Sequence, residues 1–280
     1  MVHQEILKTL DAMAIDPGYS ADFVLLLRRM VVAQEKAQEM AEGLYSNLVG
    51  TGAAPLRPAA VLVEPALVEG LVDALLEAPG NQGAGDTEMQ RLAAALRGKP
   101  ALCRTIVRAC TGRVDMAALK RVATEAGTSA FGVLMAGRMI AKPFVKAAAV
   151  RLLPHFKAPT LSDTAPGRCP QCDAPASFAL LVGKEGHRQL MCSSCDLIWP
   201  FPRLKCPTCG NSDSDKLLLL QLGDDQTRRV EACEVCRRYM KTIDQRKLPP
   251  GFPVHASIEA AACLHLDIAA EGRKLVLEVM

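Results

Sequence analysis

The chain has 280 residues, half of them hydrophobic, and a formal charge of only +3. That length buries a real core in one large or two modest domains without help from cystines. So small a charge does not announce a polyanion partner.

The opening MVHQEILKTL lacks the apolar run of a secretory signal and carries no lipidation motif, so a cytoplasmic protein is expected. Asp16-Pro17-Gly18 breaks a first short helix, and Ser20 is placed to cap the next. Phe23, Leu26, Leu27, Met30, Val31, Ala37, Ala41 and Leu44 recur at helical spacing, with Arg28, Arg29, Glu35, Lys36 and Glu39 on the other face. After a Gly/Pro-rich break, a helix is expected from about Pro65 to Glu77 on an apolar face of Leu67, Leu71, Leu75 and Leu76. Residues 80–85 read as a loop, and Thr87 with Gln90 matches a capping box.

Further helices are expected from about Pro100 to Cys110, from an Asp115 cap to Gly127, and from Ser129 onward. The stretch Phe131–Leu153 is the most membrane-like, but Arg138, Lys142, Pro143 and Lys146 interrupt it, so no span is expected. Six or seven helices make residues 1–155 a helical bundle domain. Cys103, Cys110 and Cys263 read as small core hydrophobes. Residues 156–167 carry Pro159, Pro166 and Gly167 without an apolar period and read as a linker.

Residues 168–248 hold four Cys-x-x-Cys knuckles: Cys169/Cys172, Cys192/Cys195, Cys206/Cys209 and Cys233/Cys236. Each knuckle is a tight turn that aims two sulfurs at one point, and two knuckles supply a tetrahedral site. Nineteen residues separate Cys172 from Cys192 and twenty-three separate Cys209 from Cys233, at or near the zinc-ribbon window. In a cytoplasmic chain such cysteines point to metal rather than disulfides. A thioredoxin-type redox motif would use one such pair, not four in series.

The knuckle region is an internal duplication, with offsets of 37 and 41 residues between corresponding cysteines. Each unit reads knuckle, strand, hairpin turn, strand, knuckle, as in a zinc ribbon or rubredoxin. Each unit should therefore close its own site, with a RING-type cross-brace as the alternative pairing. His187 lies within the first unit but four thiolates already fill the site. The residue after a knuckle often needs a left-handed backbone, which suits Gly210, is tolerated by Asp173 and Asp196, and suits Arg237 least.

Arg168, Arg188, Lys205, Arg228, Arg229, Arg237 and Arg238 are candidates to offset the thiolate charge. From Arg168 to Lys247 there are 13 Lys and Arg against 10 Asp and Glu, and the aromatics are few. This disfavours a zinc-ribbon nucleic-acid-binding protein, the alternative reading. Residues 249–280 are expected to form a closing helix capped by Ser257 and ended by Gly272. The fold class expected is α+β: a helical bundle followed by two tandem rubredoxin-like or zinc-ribbon modules. No Ser/His/Asp grouping, P-loop or dinucleotide fingerprint suggests an enzyme.

Three stretches add a family resemblance. They are Trp199-Pro-Phe-Pro-Arg203-Leu-Lys-Cys206-Pro-Thr-Cys209-Gly, Glu231-Ala-Cys233-Glu-Val-Cys236-Arg-Arg-Tyr239-Met-Lys241, and Leu264-His-Leu-Asp267. With the knuckles, the chain resembles the formate dehydrogenase accessory protein family, the FdhE type. The resemblance implies a cytoplasmic, non-enzymatic factor that binds the catalytic subunit of a molybdenum- or tungsten-dependent formate dehydrogenase and is needed for its activity. Rubredoxin-like iron sites and a homodimer are family expectations. Spacing does not choose between iron and zinc for the two ions. Trp199 and Arg203 are candidate partner-surface residues, against the plainer reading that they pack on a metal site and offset its charge.

Overall fold

Four helix starts are written in side-chain oxygens. Ser20 Oγ accepts from the Phe23 amide at 3.2 Å, and Asp115 Oδ1 from Ala118 at 2.9 Å. Ser129 Oγ accepts from Gly132 at 3.0 Å. At Thr87 the capping box closes in both directions: the Gln90 amide donates to Thr87 Oγ1 at 3.2 Å and the Thr87 amide to Gln90 Oε1 at 2.7 Å. The computed structural model describes residues 2–15, 20–48, 50, 52–76, 87–161, 167–223, 225–249, 254, 258–259 and 262–277. The expected break at Asp16-Pro17-Gly18, the loop at 80–85 and the Ser257 cap lie outside them.

The chain divides into two compact units, Met1–His155 and Phe156–Met280. The first holds α1 (Val2–Ile15), α2 (Ala21–Gly43), α3 (Pro65–Leu76), α4 (Glu88–Leu96), α5 (Pro100–Ala109), α6 (Met116–Ala126) and α7 (Ala130–Leu152). Helix α7 packs against α2, α3, α4, α5 and α6, and buries Val133, Leu134, Ile140, Phe144 and Val145. The segment that looked most membrane-like is thus the core helix of the bundle. No helix among the described residues is long and apolar enough to cross a membrane.

Gln34, buried on α2, donates to the Met139 carbonyl of α7 at 2.9 Å. Close approach of α5 and α7 depends on Gly137, where a Cβ would stand 2.8 Å from Cys110 Sγ. Cys103 and Cys110 are both buried in this packing. The α3 face is centred on Val68, Leu71, Val72 and Leu75, rotated from the expected one. Leu67 and Leu76 are only half-buried, because the β-branched residues beside them take the inner positions.

In the second unit the two ribbons share one seven-stranded sheet in the order β3-β2-β1-β6-β5-β4, with β7 also on β6. The strands are β1 (Ala176–Val182), β2 (His187–Cys192), β3 (Ile198–Pro200), β4 (Leu217–Leu220), β5 (Arg228–Cys233), β6 (Arg238–Asp244) and β7 (Val276–Leu277). Hairpins β1/β2 and β4/β5 are antiparallel, as their turns demand. The seam is parallel: Phe178, Ala179, Leu180 and Leu181 of β1 pair with Lys241, Thr242, Ile243 and Asp244 of β6.

Strand β6 was not expected, because Lys241, Thr242 and Asp244 break its apolar alternation although all three are buried. Two of the three are held by partners: the Arg246 side chain donates to both Asp244 oxygens, and Lys241 Nζ donates to Asp267. The expected closing helix is interrupted: Ile258, Glu259 and Ala262 are helical. Cys263 leaves helical geometry (φ −101°, ψ 20°), and α8 runs Leu264–Gly272. It buries Leu266 and Ala270 on the sheet's apolar core and leaves Leu264 and Ile268 exposed.

Candidate metal centres

The four knuckles are one turn used four times. In three of them the first cysteine's carbonyl accepts from the amide four residues on: Asp173 to Cys169 at 2.8 Å, Gly210 to Cys206 at 3.0 Å and Arg237 to Cys233 at 2.9 Å. The receiving residue must turn left-handed, and Asp173, Asp196, Gly210 and Arg237 all do, at φ of 60°, 59°, 76° and 58°. Arg237 bears the strain of a long side chain in that conformation. Its guanidinium donates to the Arg273 carbonyl at 2.8 Å, which holds it there.

These turns gather eight sulfurs into two groups, Cys169/Cys172/Cys192/Cys195 and Cys206/Cys209/Cys233/Cys236. Within each group the sulfurs lie within 4.8 Å of one another. Each ribbon closes its own group, and the cross-braced pairing does not occur. Sulfur–sulfur distances are 3.6 Å (Cys169–Cys195) and 3.5 Å (Cys172–Cys192) in the first. In the second they are 3.7 Å for both Cys206–Cys236 and Cys209–Cys233. A tetrahedral cage with metal–sulfur bonds of about 2.3 Å has edges of about 3.8 Å, whereas a disulfide draws its sulfurs to about 2.05 Å. All eleven cysteines are free. The donor set fits a thiophilic ion of iron or zinc size.

Electrostatics points the same way. Burial opposes ionisation of Cys192, yet the neighbouring sulfurs of Cys169, Cys172 and Cys195 and the Cys195 amide hold its thiol well below the usual range. The sulfurs of Cys169, Cys172 and Cys192 push Cys195 well above it, helped by burial, and Cys172 is also raised. Four thiols crowded together cannot all ionise unless a cation joins them. The Ser194 and Cys195 amides, 3.3 and 3.4 Å from Cys192 Sγ, supply further positive dipole.

The two groups differ in exposure. Cys169, Cys172 and Cys192 are buried, and Cys195 is intermediate. In the second group Cys209 is exposed and Cys236 intermediate. His187 is on an exposed strand position and belongs to neither group.

The basic residues have other partners than sulfur alone. Arg168 donates to the Asp173 carbonyl, Arg228 grips Glu259 with two bonds (2.9 and 3.2 Å), and Arg229 pairs with Glu231 at 3.1 Å. Arg188 does feel sulfur charge: burial lowers its pKa, and Glu231 and Cys206 oppose that. Trp199 is fully buried at 0 % exposure opposite Leu190, so as it stands its side chain offers no contact to a partner. Arg203 is exposed and donates to the Gly186 carbonyl at 3.0 Å, tying the approach to the third knuckle to the first hairpin turn.

One polar cluster escaped the sequence reading. Tyr239 Oη and Lys241 Nζ on β6 donate to the two carboxylate oxygens of Asp267 on α8, at 2.8 and 2.7 Å. Its signal was two polar-tipped residues two apart on one strand, with Asp267 in the first turn of a later helix. The structure thereby joins the Arg-Arg-Tyr239-Met-Lys241 stretch to Leu264-His-Leu-Asp267.

No family model matches the chain. Curated relatives do. An FdhE homolog of Aquifex aeolicus (strain VF5) is 32% identical over 111 residues, 39% of this chain and 38% of its own length. An FdhE homolog of Rhizobium meliloti (strain 1021) is 29% identical over 116 residues, 40% of this chain and 35% of its own. The FdhE of Escherichia coli O127:H6 is 35% identical over 106 residues, 37% and 33% of the two chains. The crystal structure of the FdhE protein from Pseudomonas aeruginosa superposes with a TM-score of 0.59 over 100% of this chain and 92% of that one, at 19% identity.

Over the matched segments the chain is similar to FdhE proteins, and its fold is that of the solved FdhE structure. The matched segments span only 33–38% of the length of these curated relatives. The solved FdhE structure carries the likeness of fold across the whole chain.

Proposed function

We propose that this FdhE-type chain is a formate dehydrogenase accessory protein. It acts without catalysis of its own, in the cytoplasm, and binds the catalytic subunit of a molybdenum- or tungsten-dependent formate dehydrogenase during assembly or activation. Each four-cysteine group holds one iron or zinc ion, Cys169, Cys172, Cys192 and Cys195 in the first and Cys206, Cys209, Cys233 and Cys236 in the second. Bound zinc fixes the knuckles in place, and bound iron would in addition accept or give one electron. Two such ions per chain, and a dimer of chains, are the assembly this reading expects.

The observation that supports it most is the pair of self-closed sulfur cages with tetrahedral edges within an FdhE fold. The placement of the aromatic side chains speaks against the nucleic-acid reading. Phe178, Trp199, Phe201 and Tyr239 are all buried, at 0, 0, 2 and 4 %, so none is a platform for stacking a base.

The test is affinity capture of the tagged chain from cells producing formate dehydrogenase, with metal analysis of the purified protein. Recovery of the catalytic subunit and two ions per chain is expected. Capture without that subunit overturns the accessory role, and a folded metal-free protein overturns the centres. Visible absorbance of the oxidised protein decides between iron and colourless zinc.

A further inference from the structure

The sheet of the second unit has two unlike faces. Phe178, Leu180, Val230, Ala232 and Ile243 pack on one side beneath Leu266 and Ala270 of α8. Alternation along β5 sends Arg229, Glu231 and Cys233 to the other side, where Leu219 of β4 and Met240 of β6 lie in register with Glu231. There a cavity of about 200 Å³ stands against the second sulfur group, with Cys206 and Cys233 in its wall.

Its charge is lopsided. Arg188, Arg203, Lys205, Arg229 and Arg238 line it, against one carboxylate, Glu231. A divalent ion in a four-thiolate cage carries two net negative charges, which only halves that excess. Arg188 is 5 % exposed. Its Nη atoms reach the Lys205 carbonyl at 3.0 Å and Glu231 at 3.3 Å, while its Nε is buried without a hydrogen-bond partner. A buried guanidinium N–H left unmade is costly, and an oxyanion satisfies it. At the rim Leu204 and Leu219 are 63% and 56% exposed, so the cations sit behind apolar lips. The volume falls below the roughly 300–1,000 Å³ of drug-sized ligand pockets, which fits a single ring with an anionic group rather than a dinucleotide.

We propose that this cavity binds a small ligand by its oxyanion, phosphate or carboxylate, with a compact apolar body held between Leu204 and Leu219. The site stands independently of the dehydrogenase partnership, and a failed capture experiment leaves it untouched.

Calorimetric titration of the full metal-loaded chain tests it, with phenyl phosphate, phenylacetate and inorganic phosphate at one ionic strength. Saturable one-to-one binding of at least one aryl ligand is expected. Inorganic phosphate should bind about tenfold more weakly for want of the buried ring. Whether phenyl phosphate or phenylacetate binds tighter identifies the oxyanion. Leu219→Glu puts a carboxylate at the mouth and should weaken binding by about tenfold or more, with metal content unchanged. Arg203→Gln, at an exposed position, should weaken it in the same direction and serves if Leu219→Glu does not fold. No saturable binding of either aryl ligand overturns the proposal. So does an equal response to all three anions, or unchanged affinity in the folded variants.

Discussion

The two sulfur groups are copies of one plan set in unlike surroundings. The first has three buried cysteines and sits at the foot of β1 and β2, with β1 pairing β2 on one side and β6 on the other. The second has an exposed Cys209, a fourth knuckle tipped by exposed Val235, and a basic cavity against its wall. Duplication gave the same sulfur geometry twice, at unlike degrees of burial. A cage walled in by the sheet acts as a staple, whereas a cage with one edge in solvent can meet other molecules.

Removing one ligand from each cage breaks this comparison most sharply. On the proposed reading Cys172→Ser leaves three thiols, two of them buried, without an ion, and the apparent folding free energy tied to such an ion is about 10–16 kcal/mol in zinc-finger peptides. We expect Cys172→Ser to lose the cooperative melting of the second unit, followed by circular dichroism. Cys209→Ser should lower metal content by one ion while the first ribbon stays folded, since its loss opens a site already at the surface. Equal damage from both variants would remove the distinction between staple and open cage.

The next test separates the second cage from its support. Asp267 takes both the Tyr239 hydroxyl and the Lys241 ammonium, and the Lys241 side chain is only 5 % exposed. Asp267→Ala strands a buried charge, a class of change costing about 3–5 kcal/mol. Because β6 begins two residues after Cys236, metal should be lost from the second cage before the first, readable as ions per chain during chelator titration. Asp267→Asn keeps acceptor capacity and should recover part of the loss.

How much of this was legible beforehand follows from what local chemistry encodes. The caps at Ser20, Thr87, Asp115 and Ser129 each rest on one side chain reaching an amide three residues on, so sequence alone reveals them. The pairing of knuckles was legible too, because each hairpin brings its own two together. The seam between ribbons was not. Parallel pairing of Phe178–Leu181 with Lys241–Asp244 joins residues some sixty positions apart and leaves no local signature. For Trp199 the sequence left a partner surface and inward packing both open; it pairs opposite Leu190 and goes inside. The cavity depends on which face of β5 each arginine takes, and that was fixed only when α8 covered the other face.

The smallest effect uses the sulfurs outside the cages as the reference. Burial raises the Cys110 thiol from 9.0 to about 12, and burial together with the Glu259 charge raises Cys263 to about 12. The folded chain therefore keeps these protons where the unfolded chain releases them. Their contribution to stability is complete below about pH 9 and is lost as pH rises toward 12, by about 1.4 kcal/mol per thiol for each pH unit. Denaturant midpoints measured between pH 8 and 11 should fall accordingly, and Cys110→Ala should flatten its share of the slope. Iodoacetamide at pH 8 supplies the matching kinetic reading: Cys110, buried in the helical unit, stays unmodified with or without chelator, and Cys263 stays unmodified while the second unit remains folded. Cys209 should react as soon as the chelator takes its ion, ahead of the buried first-cage thiols, because only coordination protects it.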